Sequence, residues 1–316
     1  MNPAWVQHLL ALGMLLGAGH ASSSATDTWC YTDPKCGPAT WGALGQCNGL
    51  KQSPININTS AAVPNAQLDA LSLTGYEDGE KLSSMENNGK TVYVHVEDGL
   101  RLRGQGLPYV YTAQSFHLHW GEGKQKPGSE HLISDKQFDM ELHIVHTKNN
   151  LNTSDALQDP QGVAVLAFFL QASDQADSSD AWDSFTQCLK KVPVERNTVH
   201  LDDVFSLSDL LGPVDLARYY RYKGSLTTPN CTEAVIWTVF PDPILVSPDV
   251  VDAFPSILRS KDGSKLYNNF RPVQSLGDRQ VQASAALQNS HSASPALHPA
   301  ALLLLLLSTA ALIWHL

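Results

Sequence analysis

Two short stretches alternate residue by residue between imidazole or carboxylate and bulky apolar side chains, and this alternation limits what the chain can build. In Ser115-Phe116-His117-Leu118-His119-Trp120 the two histidines stand at i and i+2. Such a pattern is that of a strand, in which positions i and i+2 face the same way. Both imidazoles therefore share one face, while Phe116, Leu118 and Trp120 pack on the other. Met140-Glu141-Leu142-His143-Ile144-Val145-His146 alternates similarly and offers His143, with His146 as a rival. Two histidines on one strand and one on a neighbour supply three neutral nitrogen ligands with a fourth position open. That is the donor set of a catalytic zinc site, whereas structural sites are closed by four ligands, often thiolates. Spacing alone leaves the third ligand open between His143 and His146.

The length of 316 residues, 43% of them hydrophobic, suffices for one large domain, and no internal repeat or linker divides it. Acidic residues outnumber basic ones 31 to 21, for a net charge of −10, which argues against a nucleic-acid partner. Both ends read as processing signals. Val6 to Ala18 is almost wholly apolar, and Gly19-His20-Ala21 leaves small residues at a cleavage site, so residues 1–21 are expected to be a signal peptide. At the other end, Ala300 to Leu316 is apolar and has no basic residue after it, unlike a stop-transfer helix. A small triplet, Ser284-Ala285-Ala286, and a polar spacer precede it, which is the pattern of a GPI-attachment signal. The reading is a domain over 22–284, attachment at Ser284 (with Asn289 or Ser290 as the fallback) and a removed propeptide over 285–316.

An exported chain uses cysteines for disulfides. Of the five, Cys188 lies in a helix-like stretch and is expected to be the free thiol. Cys30 and Cys36 can close a small loop, which leaves Cys47 for Cys231. Closing so long a loop contributes at most roughly 5 kcal/mol on the chain-entropy account. Asn58 and Asn152 head N-glycosylation sequons; the third match, at Asn230, carries Cys231 in its middle.

Along the chain, Trp29 to Gly49 is rich in Gly, Pro and Cys and reads as an irregular surface wrap. Strands are expected at Thr91 to Val96, at the two histidine stretches, at Gly162 to Leu170 and at Glu233 to Phe240. Helices are expected at Ser178 to Val192, around Val214 to Tyr222 and at Asp249 to Leu258. Many strands with few helices and no strand–helix alternation imply an α+β fold. The expected form is a single domain on a large, mostly antiparallel twisted sheet, with a few short peripheral helices.

Taken together, the chain resembles the α-carbonic anhydrases, and among them the GPI-anchored, type-IV-like branch. The resemblance runs from about Trp41 to Leu276. It rests on Gln52-Ser53-Pro54-Ile55-Asn56-Ile57, Asn87-Asn88-Gly89, Phe116-His117-Leu118-His119-Trp120-Gly121, Gly128-Ser129-Glu130-His131, Glu141-Leu142-His143-Ile144-Val145-His146 and Gly224-Ser225-Leu226-Thr227-Thr228-Pro229.

This resemblance implies Zn2+ held by His117, His119 and His143, with His146 a structural neighbour and Glu141 orienting His143. It implies that Thr227 donates to Glu130 and accepts from zinc-bound hydroxide, which attacks CO2 to give bicarbonate and a proton. Val145, Val165, Leu226 and Trp237 would line the CO2 pocket, with Thr227 and Thr228 beside it. It also supports the Cys47–Cys231 pairing. The implied location is the extracellular face of the plasma membrane through a GPI lipid, with bicarbonate transporters as potential partners.

Two positions depart from the family pattern. Lys90 stands where fast members carry a proton-shuttling histidine; a lysine near 10.4 relays poorly at neutral pH, whereas histidine titrates near 6.5. CO2 hydration limited by proton transfer is the expectation, with His95 as a substitute relay. Ser115 stands where the family commonly has a longer amide that orients the first zinc histidine. The rival readings are a catalytically weak or silent carbonic-anhydrase-like binding domain, and another zinc hydrolase such as an esterase.

Overall fold

The structure is a computed structural model that describes residues 29–124, 126–149, 151–176 and 180–292. The expected signal peptide and the apolar C-terminal tail lie outside the described residues. In chain order the strands are β1 (Asn56–Ile57), β2 (Val63–Asn65), β3 (Ser72–Thr74), β4 (Leu82–Asn87), β5 (Val92–Val96), β6 (Arg101–Arg103) and β7 (Tyr111–Trp120). Then follow β8 (Leu132–Ile133), β9 (Met140–Lys148), β10 (Val163–Ala172), β11 (Thr198–His200), β12 (Tyr220–Gly224), β13 (Val235–Val246) and β14 (Gln282–Ser284).

Twelve of them form one mixed, twisted sheet in the order β11-β4-β5-β7-β9-β10-β13-β12-β14-β2, with β6 beside β7 and β3 beside β6. Its pairings are antiparallel except β10 with β13 and β14 with β2. The α+β class and the mostly antiparallel sheet expected from sequence are what the chain adopts.

Residue parity decides which side of the central strands meets which core. In β7, β9 and β10 the even-numbered Phe116, Leu118, Trp120, Leu142, Ile144, Leu166 and Phe168 enter the larger cluster. Trp182 and Phe185 from helix Asp180–Leu189, Leu210 from helix Leu207–Leu211 and Phe254 from helix Pro248–Ile257 join that cluster. The odd-numbered Val163, Val165, Ala167 and Phe169 meet Tyr222, Val235 and Trp237 in a second cluster. With both faces covered, β10 can be apolar throughout, as its sequence is.

The histidine strands and the strand and helix centres fall where the sequence puts them, with ends moved by a few residues. The helix expected around Val214 to Tyr222 is not formed. Tyr220 to Gly224 is instead β12, with Tyr220 and Tyr222 in one core and Tyr219 in the other. The alternation of aromatic side chains between two cores outweighs a weak local helical preference. A short helix at Leu207–Leu211 was not anticipated, although Ser206 and Asp209 form a capping box there, a signal legible in sequence. The N-terminal wrap is irregular apart from a 3-10 turn at Pro38–Ala43, and Trp41 is fully buried.

Cys30–Cys36 and Cys47–Cys231 are disulfide-bonded, and Cys188 is free and buried. Asn58 is exposed, as is Asn152, which caps helix Thr153–Ala156. Ser284, the expected attachment residue, lies among the described residues. It is fully buried in β14, its amide donates to the Tyr219 carbonyl, and its Oγ accepts from the Tyr219 amide. Leu287, just beyond, belongs to the second core cluster. Cleavage after Ser284 would leave β14 at the chain end and remove Leu287 from that cluster.

Candidate metal centre

Register assembles the centre from two strands. In the β7–β9 ladder His117 is paired with His143 and His119 with Glu141. All four residues project to the odd-numbered face, and a ligand nitrogen from each of His117, His119 and His143 lies within 4.8 Å of the others. The imidazole centroids stand 5.0 Å (His117–His119), 5.3 Å (His117–His143) and 4.6 Å (His119–His143) apart. His146 lies three residues from His143, an odd offset, and so faces away. Its ring is paired with the Tyr76 hydroxyl and lies 3.1 Å from the Ala164 carbonyl. Of the two residues that spacing left open, His143 is the one that stands beside His117 and His119.

The nitrogen that each ring offers inward is set by what holds its other nitrogen. Nδ1 of His119 donates to the Asn269 carbonyl at 2.8 Å, which leaves Nε2 for the centre. Nε2 of His143 donates to Oε1 of Glu141 at 2.6 Å, which leaves Nδ1, 3.1 Å from Nε2 of His119. Nδ1 of His117 is buried with no hydrogen-bond partner among the described residues. This is the consequence expected of Ser115, whose short side chain is paired with none of the ligand histidines. Gln114 instead donates to the Thr112 carbonyl.

Burial pushes all three imidazoles below the ordinary histidine value, His119 to about 4, so each is a neutral ring with a lone pair to give. Neutral nitrogen donors converging on one point, two of them oriented by outer hydrogen bonds, fit a zinc ion.

Glu141 is a fully buried carboxylate with four donors. Its Oε1 accepts from His143 and His131, each at 2.6 Å, and its Oε2 from the amides of Glu130 and His131. Burial raises its pKa, but the two imidazoles and these bonds outweigh that and hold it well below the carboxylate range. His131 continues to the Tyr222 hydroxyl, which also bonds Ser53. His131, Glu141 and His143 are close enough to suggest a second metal group. Their polar atoms are already committed to one another and to Tyr222, so the cluster is a hydrogen-bonded support. His131, Tyr222, Ser53 and Asn269 were given no role by sequence reading, because buried polar chains join residues far apart in sequence.

Glu130 is buried, accepts from the Arg271 amide at 2.8 Å, and places Oε2 3.4 Å from Nε2 of His119. Burial raises its pKa to about 7, opposed by His143 and by the hydroxyl of Thr227. Thr227 is buried on the connection from β12 to β13, beside Leu226 and Thr228. The Cys231 amide donates to the Thr228 carbonyl and Leu226 to that of Thr232, so the Cys47–Cys231 bond anchors this segment.

Val145, Val165 and Trp237 form a direct cross-strand row over β9, β10 and β13, next to the histidine row. Leu226 packs on the same cluster, and the Trp237 ring lies 4.8 Å from that of His143. The sequence thus places an apolar wall against the imidazoles. Lys90 follows the Asn87-Asn88-Gly89 turn with Nζ 4.6 Å from the centroid of Trp29. His95 is exposed on β5 and lies 3.6 Å from Glu86.

Comparison with known proteins agrees with this geometry. The family model described as eukaryotic-type carbonic anhydrase matches residues 36–285. Carbonic anhydrase 15 of Mus musculus is 36% identical over 304 residues, covering 91% of this chain and 93% of its own. Carbonic anhydrase 4 of Rattus norvegicus is 37% identical, covering 88% and 91%. Putative carbonic anhydrase 5 of Caenorhabditis elegans is 34% identical, covering 87% and 86%.

Proposed function

The chain belongs to the eukaryotic-type carbonic anhydrase family and is a carbonic anhydrase, and we propose that it hydrates CO2 at a zinc ion held by His117, His119 and His143 on the outer face of a membrane. The observation that carries this reading is the convergence of three buried, neutral imidazoles on one point beside an apolar wall. Zinc held there would supply a Lewis acid that makes water nucleophilic near neutral pH, with a pKa of about 7; carbonic anhydrase is itself the reference case for that value.

The protein's own residues supply the rest. His119 and His143 are fixed in ring orientation by Asn269 and Glu141. Thr227, with its hydroxyl toward Glu130, orients a solvent oxygen at the open position by giving it an acceptor of fixed direction. Glu130 holds the Thr227 proton in place. Val145, Val165, Leu226 and Trp237 take up CO2, which has no net dipole and gains from an apolar wall. Thr228 lies at the edge where charged bicarbonate departs. Lys90 stands where fast members of the family carry a proton-relaying histidine, so proton export is the slow part of this reading.

The membrane location rests on the signal-like apolar stretch at residues 6–18 and the GPI-signal pattern of residues 284–316. Among the described residues no helix is long and apolar enough to cross a membrane. Attachment through a GPI lipid past Leu287, at Asn289 or Ser290, is compatible with the packing of β14. Bicarbonate transporters are the natural partners of such an enzyme, since they remove its charged product. The test is zinc content and CO2 hydration of the purified protein, before and after chelation, alongside His119→Ala. One zinc per chain and chelator-sensitive turnover, both lost in His119→Ala, are expected; full turnover without metal would refute the reading.

A further inference from the structure

Away from the metal centre, the end of β12 carries a cavity of about 270 Å³ whose charge does not match the rest of the molecule. The chain has 31 acidic against 21 basic residues, yet Lys51, Arg221, Lys223 and Arg279 line this cavity and, among the described residues, no carboxylate does. It lies at the end of the β12–β14 ladder, whose pairs are Tyr220 with Ala283 and Arg221 with Gln282. Past that point Arg279 crosses the gap and donates from Nη1 to the Lys223 carbonyl.

Arg221 is the unusual member. It is only 5% exposed. Its Nε donates to Thr238 Oγ1 at 3.0 Å, its Nη1 reaches the Gln105 carbonyl at 3.4 Å, and its Nη2 is buried with no partner among the described residues. The guanidinium lies 5.1 Å from the centroid of Tyr219, and among the described residues it forms no ion pair. Burial disfavours its charge, and only the weak influence of Tyr219 and Tyr111 opposes that. The carboxylate that acts on Arg279, Glu233, has its Oε1 engaged by the amide of Lys51 and by Gln52. A buried cation lacking a counter-charge is costly, and a fork of N–H donors matches the geometry of an oxyanion.

We propose that this cavity is a second, non-catalytic site for a small oxyanion of the bicarbonate, phosphate or sulfate type, held by Arg221 with Lys223 and Arg279 around it. The bound anion supplies, from the cavity side, the counter-charge that the buried Arg221 guanidinium lacks among the described residues. That contact does not involve the metal centre, so the site stands whether or not the zinc reading does.

Thermal unfolding of the zinc-loaded enzyme tests this, with sodium sulfate, phosphate or bicarbonate titrated at constant ionic strength made up with chloride. Binding to the folded state gives a saturable rise in Tm. General exclusion of sulfate from the surface gives an unsaturating one that is equal in all variants. The expected result is a saturable rise for the wild type. Lys223→Ser should raise the half-saturating concentration severalfold, and Arg221→Met should abolish the saturable part. The anion with the lowest half-saturating concentration identifies the ligand. Identical titrations of wild type and Lys223→Ser, or no saturable response to any of the three anions, would overturn the proposal even if Arg221→Met fails to fold.

Discussion

His117 and His143 face each other directly across the β7–β9 ladder, their rings 5.3 Å apart and almost perpendicular, at 89°. Two residues so placed cannot be moved independently: a one-residue slip of either strand would send its imidazole to the opposite core. Because both faces of these strands are buried, such a slip would also put histidines among Phe116, Leu142 and Ile144. Packing of the larger core thus holds the register of the site, and the predictions below probe what holds the rings themselves.

Glu141→Gln should weaken zinc binding by about 10- to 100-fold, the usual cost of losing a partner that orients a metal ligand. The amide also meets two backbone N–H donors that favour a carboxylate oxygen, so a fall in Tm should accompany the loss. Competition with a chelator of known affinity measures the first effect. Unchanged zinc affinity would show that Glu141 does not position His143.

Ser115→Gln should act in the opposite direction. Nδ1 of His117 is buried with no acceptor among the described residues, and a longer amide on the same face of β7 extends one toward it. Zinc should dissociate more slowly, with affinity up by about tenfold. An affinity equal to the wild type, in a variant that folds, would mean that His117 is already well held.

Lys90→His should raise CO2 turnover severalfold in weakly buffered solution near pH 7, where an ordinary imidazole accepts and releases protons and an ordinary ammonium does not. Added imidazole should stimulate the wild type and have less effect on the variant. Stopped-flow turnover as a function of buffer concentration decides the matter. A wild type indifferent to buffer would show that proton export is not limiting.

His146 gives the fold a pH dependence independent of catalysis. Burial lowers its pKa from 6.5 to about 4, so between those values the unfolded chain binds a proton that the folded one refuses. Its contribution is complete above pH 6.5 and is lost as the pH falls toward 4. The loss is about 3 kcal/mol at 1.36 kcal/mol per unit. His146→Gln should therefore start less stable at pH 7, having disturbed the Tyr76 contact, but lose less on acidification. Denaturant unfolding at pH 7 and pH 4.5 checks this, and parallel losses in the two proteins would contradict it.

Local pattern carried a good deal of this protein. Alternation alone determined that His117 and His119 share a face and that the centre is built on strands, and the unbroken apolar run from Gly162 to Leu170 marked a buried strand. Period two is a property of an extended chain and needs no tertiary information. The free Cys188 and the two disulfides also followed from the placement of five cysteines.

Tertiary structure decided what depends on register and on distant neighbours. It placed His143 inward and His146 outward, turned Val214 to Tyr222 from an expected helix into a loop and the start of an inner strand of the sheet, and buried Ser284. It also linked Glu141 to His131, Tyr222 and Ser53. These outcomes rest on which strands pair and which core each face meets, and no window of neighbouring residues contains that information.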